Sequence, residues 1–251
     1  MDNSKKLELL SAWFCPYAQR AWMAMELKCK GQYHVTEAIK ITSPDGAYAK
    51  DSLERTTLLK ESNPSGLVPV IIDKRRNDKA VSVVYESLIC IEYIDEVFDD
   101  GNASTKLLPG DPTQRTDARM WSNRLNNDIC TTFYTFLLNQ NKEDQDKAAD
   151  KILAALLDFC KHCEGPFFYG RHISIVDITI APFLVGARMD AVMKHYRNFE
   201  VPATKEYSKY FVWRDAMLQH PCFVATVTTD YEAIKKVYAR YAYGTALIVQ
   251  S

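Results

Sequence analysis

The stretch from Leu7 to Met25, LELLSAWFCPYAQRAWMAM, places a cysteine where one type of secondary structure changes to another. Leu7 to Ser11 is a short apolar run of the kind that forms a buried strand. From Pro16 onward, apolar residues recur at three- and four-residue spacing, which predicts a helix. Proline suits the first helical position because its φ is preset and its missing N–H would be unpaired there. Cys15 is therefore expected at a helix N-terminus, directly after a strand.

This position favours a reactive thiol. Free N–H groups and the positive end of the helix dipole stabilise a thiolate, so the pKa of Cys15 is expected below the roughly 8.5 of a free thiol. The alternative is a buried structural cysteine, which is the usual fate of a free one. A dithiol redox motif would need a second cysteine at position 18, where the sequence has Ala18. Disulfide chemistry at Cys15 would thus use one protein thiol and a small external thiol.

Composition limits the class of protein. The 251 residues are enough for two ordinary domains, and the net charge of −1 gives no field that would recruit nucleic acid or an anionic membrane. The seven cysteines have no framework spacing, which favours a reducing compartment. The N-terminus lacks the apolar core of a signal peptide, and no apolar run is long enough to span a bilayer. A cytoplasmic protein is expected.

The first part of the chain reads as a small mixed sheet. Apolar residues alternate over 33–41, and further strands are predicted at 68–72 and 81–84, with turns near 42–46 and 73–79. Pro69 cannot donate to a strand ladder, so it indicates an edge or a strand start and allows a cis Val68–Pro69 bond. A helix is predicted to begin near Glu86. The order strand, helix, strand, then strand, strand, helix predicts a thioredoxin-like domain.

The rest of the chain reads as helical. Residues 99–111 have the glycine and proline content of a linker. Ser174-x-x-Asp177 resembles a capping box ahead of an apolar run. The aromatic ending at 238–251 is a candidate cover for a cleft. Further helices are predicted from Asp111-Pro112, from about 146, and near 204–219 and 229–240. The predicted domains are therefore 1–98 and 112–251, the second being all-α.

Five segments together resemble the cytosolic glutathione transferases, of the cysteine-bearing kind typified by the omega and lambda classes. They are CPYAQR at 15–20, NPSGLVPV at 63–70, YESLICIEYIDE at 85–96, LLPGDP at 107–112 and FFYGRHISIVDITIAPF at 167–183. The resemblance implies an N-terminal thioredoxin-like domain followed by an all-helical domain. It also implies glutathione as co-substrate and no metal.

The resemblance assigns roles to particular residues. Cys15 matches the family's active-site cysteine, which forms a mixed disulfide with glutathione. Val68, ahead of Pro69, matches the position whose main chain pairs with the cysteinyl part of glutathione, a strand-like recognition. Glu86 and Ser87 match the pair that holds the γ-glutamyl end; a hydroxyl at a helix N-terminus suits its carboxylate, and a carboxylate suits its ammonium. The alternative is that Ser87 is only an N-cap and Glu86 only an acidic residue of the first helical turn.

Other substrate contacts are less specific. The family's lysine, eight residues before the asparagine of the NP turn, falls on Arg55, whose guanidinium could hold the glycyl carboxylate bidentately. Lys60 is a competitor for that role. Tyr17 is a further candidate substrate-binding residue. The acceptor pocket is expected to include Arg188, and by looser analogy Trp213 and Tyr134. The alternative for the helical-domain aromatics is that they belong to the core.

The segment Cys160-Lys161-His162-Cys163 has the residue types of a metal site. A structural zinc site needs four ligands, and no second pair of cysteines or histidines lies at suitable spacing. Two buried or idle thiols at a helix end are expected instead.

The leading functional hypothesis is a glutathione-dependent thiol transferase or dehydroascorbate-type reductase that works through Cys15. Its partners would be glutathione and a small thiol, disulfide or oxidised substrate, and a homodimer is one expectation. One alternative is a transferase that conjugates glutathione to electrophiles, for which Tyr17 and Ser11 supply nearby hydroxyls. The other is a non-enzymatic ligand-binding or chloride-intracellular-channel-like protein. The first helix lacks the long apolar span that a channel would need.

Overall fold

A computed structural model describes residues 6–42, 53–75 and 81–245. Four strands form a mixed sheet in the order β2–β1–β5–β6, in which β1 and β2 are parallel and the other pairs antiparallel. Their bounds are β1 Leu7–Ser11, β2 Tyr33–Glu37, β5 Val70–Asp73 and β6 Ser82–Tyr85. Most of the predicted 42–46 turn, part of the 73–79 tip and the end of the chain from 246 lie outside the described residues. The predicted thioredoxin-like sheet is confirmed.

The predicted strand over 33–41 is two strands. β2 ends at Glu37, and β3 (Ile39–Ile41) pairs with β4 (Leu53–Arg55) in a separate antiparallel ladder. Ala38 makes the change of sheet, because its N–H donates to the carbonyl of Ser11 at 2.8 Å and its carbonyl accepts from the N–H of Thr56 at 3.0 Å. The continuous alternation of the sequence does not reveal this change.

Helix α1 (Pro16–Lys28) connects β1 to β2 and starts at the predicted residue. It packs against α3 (Ser87–Val97) of its own domain and against α7 (Ile175–Leu184) and α10 (Pro221–Val224) of the helical part. Helix α2 (Thr57–Ser62) is short and is capped by Thr56, whose side chain accepts from the N–H of Leu59. Residues at the start of α1 therefore face both halves of the molecule.

Helix α4 (Pro112–Leu125) begins at the predicted residue, with Asp111 as its N-cap. A π-helical segment at Asn126–Cys130 joins α4 to α5 (Thr131–Leu138), and a second one at Arg188–Met193 leads into α8 (Lys194–Arg197). The predicted capping box is present, with Asp177 bonded to Ser174 ahead of α7. The remaining helices are α6 (Lys142–His162), α9 (Ser208–Gln219) and α11 (Tyr231–Ala242). None of the described helices is long and apolar enough to cross a membrane.

The connection between the halves is held by a buried ion pair. Lys28 at the end of α1 pairs with Asp95 of α3 at 3.0 Å, with side-chain exposures of 1% and 7%. The Asp95 carboxylate also accepts the main-chain N–H groups of Leu107 and Leu108, and Lys28 donates to the carbonyl of Thr105. The predicted linker is therefore fixed to α1 and α3 at its C-terminal end.

Candidate functional site

Cys15 is the N-cap residue of α1, with extended φ and ψ of −85° and 118°. Its main-chain N–H donates to the carbonyl of Ala12 at 2.8 Å, which tightens the turn between β1 and the helix. The thiol is half-buried, whereas the remaining six cysteines are buried and all seven are free. Its Sγ lies 4.0 Å from the carbonyl oxygen of Val68, and the Val68–Pro69 peptide bond is cis. The structure thus brings together Cys15 and Val68, which are 53 positions apart.

The prediction of a lowered pKa at Cys15 is wrong for this structure. Burial penalises the thiolate and raises the pKa of the Cys15 thiol above its ordinary value. Opposing effects come from the N–H of Ala18, the charge of Arg188, the N–H of Tyr17 and the charge of Arg20, and they only partly offset the burial. The helix N-terminus acts in the predicted direction, but desolvation is the larger effect.

Glu86 and Ser87 stand at the start of α3. Glu86 is the N-cap and has a positive φ of 69°, a conformation that costs a non-glycine residue on the order of 1–3 kcal/mol. Its side chain is exposed and makes no cap hydrogen bond. Ser87 is the first residue of the helix, and its Oγ accepts from Nη1 of Arg20 at 3.0 Å. The Glu86 side chain therefore does not cap the helix, and its positive φ is not explained by a capping hydrogen bond.

Arg20 is a site residue that the motif reading did not single out. Its guanidinium is buried and donates to the carbonyl of Thr179, to Ser87, to Oδ1 of Asn126 and to Sγ of Cys130. It therefore connects α1 to α3, to α7 and to the first π-helical segment. The sequence signal was an arginine on the apolar face of the predicted first helix, where a charge has to find buried partners.

Arg55 and Lys60 line the same surface depression, together with Thr42, Leu53 and Glu54. Nε of Arg55 donates to the carbonyl of Gly66 at 2.9 Å, two residues before Val68. Gly66 has a φ of +64°, and a Cβ there would lie 3.2 Å from Cδ of Arg55. This close approach explains the glycine of the NPSG turn. Lys60 is exposed on α2.

An aromatic cluster lies next to the Cys15 turn. The ring of Tyr17 stacks on Tyr134 at 6.2 Å and meets Phe183 edge-on at 5.2 Å. Tyr134 in turn contacts Tyr238 and Tyr241 of α11. Burial is the main cause that raises the pKa of Tyr17, which favours the protonated phenol. Tyr17, a candidate substrate-binding residue, is thus adjacent to Tyr134, a candidate for the acceptor pocket.

Two residues predicted for the acceptor pocket are buried in this structure. Trp213 is fully buried, and its Nε1 donates to Asp177 at 2.9 Å, so it belongs to the core beneath the capping box. Arg188 is only 2% exposed, and its guanidinium bonds to protein groups rather than lining an open pocket. Neither side chain lines an open pocket in this structure, and a substrate contact of Arg188 stays a prediction. For Trp213, the core alternative holds.

No cluster of three or more metal-ligating side chains occurs among the residues that the structure describes. Cys160 and Cys163 are both buried, and the Cys163 thiol donates to the carbonyls of Gly165 and Phe167. His162, between them, packs its ring on Trp121. The expected idle thiols at a helix end agree with this arrangement.

Comparison with known proteins gives the family. Residues 14–97 match the family described as "Glutathione S-transferase, N-terminal domain". The probable glutathione S-transferase parA of Nicotiana tabacum is 30% identical over 187 residues, which cover 72% of this chain and 73% of the relative.

Solved structures of two classes are similar to this fold. Glutathione transferase Omega 3C from Trametes versicolor is 29% identical, with a TM-score of 0.75 over 94% of this chain and 90% of its own. The Tau class glutathione S-transferase of mango, Mangifera indica, is 25% identical, with a TM-score of 0.73 over 95% and 99%. The match to parA, the N-terminal domain match and the two-part fold agree with one another: the chain belongs to the glutathione S-transferase family.

Proposed function

We propose that this protein is a glutathione-dependent thiol transferase and reductase of the cysteine type, with Cys15 as the nucleophile. The observation that carries the proposal is the half-buried Cys15 thiol at the start of α1, beside the Val68 carbonyl, in a chain whose other cysteines are buried. With Ala18 where a resolving thiol would stand, the covalent intermediate must be resolved by glutathione. The resemblance to a solved Omega transferase supports this class, and the Tau-class resemblance is the competing indication.

Glutathione would bind in an extended form beside Cys15. Val68 lies two residues before β5, so its main-chain groups are outside the strand ladder and suit the cysteinyl part of the tripeptide. Ser87 already accepts a hydrogen bond from Arg20, which leaves its hydroxyl proton for the γ-glutamyl carboxylate. The exposed Glu86 suits the ammonium group. Arg55, oriented by the Gly66 carbonyl, is favoured over Lys60 for the glycyl carboxylate.

The reaction is two thiol–disulfide exchanges. The Cys15 thiolate attacks the glutathionyl sulfur of a mixed disulfide; the new Cys15–glutathione bond forms as the old S–S bond breaks, and the leaving thiolate takes a proton. The thiolate of a second glutathione attacks the same sulfur, releases oxidised glutathione and returns Cys15 to the thiolate. Per turnover, one mixed disulfide is reduced and one glutathione is incorporated into the oxidised dimer. Two glutathiones would likewise supply the two electrons that reduce dehydroascorbate.

The conjugating alternative has weaker support from the local geometry. Ser11 is 1% exposed, and its hydroxyl has no partner among the described residues, so it offers no open contact to a bound thiol. Burial raises the pKa of Tyr17 within the aromatic cluster, and a conjugating reaction would depend on this hydroxyl.

The test compares disulfide reduction with conjugation in the same variants. Cys15→Ala and Cys15→Ser should both reduce a small glutathionyl mixed disulfide at no more than the uncatalysed rate, because a hydroxyl does not exchange with a disulfide. Cys90→Ala, at a buried cysteine of α3, is the matched control and should keep the wild-type rate. Conjugation of an aryl halide should be feeble in the wild type and could rise in Cys15→Ser. Retained exchange in Cys15→Ala, or strong conjugation with poor exchange in the wild type, would mean the mechanism is wrong.

Four narrower expectations stay predictions. They are the omega- or lambda-like class, domain boundaries at 98 and 112, a reducing cytoplasmic compartment in keeping with the free cysteines, and a homodimer. Light scattering of the purified protein would decide the last of these, because a monomer mass at working concentration contradicts it.

A further inference from the structure

Arg188 is a buried cation that contacts the turn carrying Cys15. It begins the second π-helical segment, four residues after the last residue of α7, and its guanidinium donates to neutral groups only. Nη2 bonds the carbonyl of Phe14 at 2.8 Å, and Nη1 bonds Oε1 of Gln19 at 2.7 Å. Nη1 also bonds the carbonyl of Pro182 at 3.0 Å, and Nε bonds the hydroxyl of Tyr238 at 3.2 Å. One side chain therefore joins the residue before Cys15, helix α1, the end of α7 and α11.

The charge of Arg188 has no counter-ion of its own. No carboxylate lies within ion-pair distance of Arg188 or of Arg20 in the part of the chain that the structure describes. A buried cation without an anion is costly, since burial removes its hydration and nothing negative replaces it. An anion that forms or binds nearby would offset this cost. The ionisable group adjacent to Phe14 is the Cys15 thiol.

We propose that Arg188 is a positioning residue for Cys15: it fixes the turn through the Phe14 carbonyl and supplies the positive charge that the thiolate needs. The proposal rests on Cys15 as the nucleophile and on nothing about the acceptor substrate. On ionisation the thiol releases its proton to solvent, and the sulfur's negative charge is then balanced by the guanidinium. The charge of Arg188 lowers the pKa of Cys15, although burial keeps that pKa raised overall.

The other ionisable groups near Cys15 leave this role to the two arginines. Tyr17, Tyr134 and Tyr238 interact with the sulfur, and burial raises the pKa of each phenol, so they stay neutral around pH 7. Arg20 is the second cation, but it donates to Ser87, so removing it would also disturb a proposed glutathione contact. None of the contacts of Arg188 is a residue proposed to bind glutathione. Arg188 therefore gives the cleaner test.

The experiment measures alkylation of Cys15 by iodoacetamide across pH, in the full-length protein without glutathione, with the labelled cysteine located by mass spectrometry. Arg188→Gln and Arg188→Met remove the charge. Both should raise the midpoint by about one pH unit, the lower end of what an adjacent opposite charge contributes, and so reduce the thiolate present at neutral pH about tenfold. Arg188→Lys keeps the charge, but an ammonium group cannot donate to the Phe14 carbonyl and to Gln19 at the same time in the geometry of the planar guanidinium. Its midpoint should lie between wild type and the neutral variants.

Arg197→Gln is the matched control. Arg197 also donates to main-chain carbonyls, including those of Phe136 and Ala242, but it lies on α8 and contacts no residue of the Cys15 turn. Its loss should lower the unfolding temperature without moving the alkylation midpoint. Unchanged midpoints in the folded neutral variants would overturn the proposal. If the neutral variants fail to fold, an Arg188→Lys midpoint and limiting rate equal to wild type would overturn it.

Alkylation needs neither glutathione nor an acceptor. If the wild type fails to reduce mixed disulfides, only the proposed function is contradicted. If the alkylation midpoint of Cys15 does not change when the charge at position 188 is removed, only this inference is contradicted.

Discussion

Replacing Lys28 by methionine should destabilise the protein far more than replacing Lys106 by methionine. Each lysine pairs with an aspartate at 3.0 Å, Lys28 with Asp95 and Lys106 with Asp99. The first pair has exposures of 1% and 7%, and the second has exposures of 31% and 39%. Geometry and residue type are thus matched, and solvent access is the variable.

The expected magnitudes follow from burial. Lys28→Met leaves the Asp95 carboxylate buried with only two main-chain N–H donors, and removing one partner of a buried pair costs roughly 3–5 kcal/mol. Lys106→Met should cost about 1 kcal/mol or less, because the exposed carboxylate of Asp99 is rehydrated and salt already screens the pair. For a chain of this length, the first change corresponds to a fall in Tm of roughly 6–20 °C.

Thermal and urea unfolding of the two variants, followed by circular dichroism, measure this difference. The double variant Lys28→Met/Asp95→Asn should recover part of the lost stability. The amide oxygen of the new asparagine side chain can still accept from the N–H of Leu107 or Leu108, and no charge remains buried. Equal losses for Lys28→Met and Lys106→Met would refute the reasoning, since burial would then not decide the cost of an unpaired charge. A double variant less stable than Lys28→Met would refute the account of what remains after the lysine is gone.

Two further predictions concern glutathione and pH. Ser87→Ala and Glu86→Gln should each weaken glutathione binding by roughly 1.5–3 kcal/mol, the range of charge-assisted hydrogen bonds, and Arg55→Ala should weaken it more than Lys60→Ala. Calorimetric titration decides both comparisons, and a larger loss in Lys60→Ala would reassign the glycyl-carboxylate contact. Because burial raises the pKa of Cys15, its alkylation rate in the free wild type should keep rising with pH beyond about 8.5; a plateau below that pH would show that the helix N-terminus and the two arginines outweigh burial.

The sequence predicted well those features that depend on neighbours along the chain. The strand–Cys15–helix junction follows from Pro16 and from apolar spacing, and the helix starts where this pattern says. The capping box at Ser174 and the helix start at Pro112 are likewise local signals. The cis bond before Pro69 was foreseen as an option because only proline allows it at low cost.

Features that depend on distant packing were not predictable in this way. The change of sheet at Ala38 depends on its bonds to Ser11 and Thr56, which the alternating pattern does not encode. A tryptophan can line a pocket or fill a core, so the sequence does not distinguish the two for Trp213. Its hydrogen bond to the buried Asp177 shows that it belongs to the core. Arg188 was assigned to the pocket by resemblance, whereas its side chain is enclosed by Phe14, Gln19 and Tyr238. No local pattern reports these enclosures.

The raised pKa of Cys15 slows the proposed chemistry without removing it. Each unit by which a thiol pKa exceeds the ambient pH costs about tenfold in thiolate, but the nucleophilicity of the remaining thiolate rises with its basicity, with a Brønsted slope of about 0.4–0.5. That slope returns roughly threefold, so the net loss per unit is only about three- to fourfold. Burial and the guanidinium groups of Arg20 and Arg188 therefore act in opposite directions on one quantity, the ionised fraction of the Cys15 thiol: burial lowers it, and the two charges raise it.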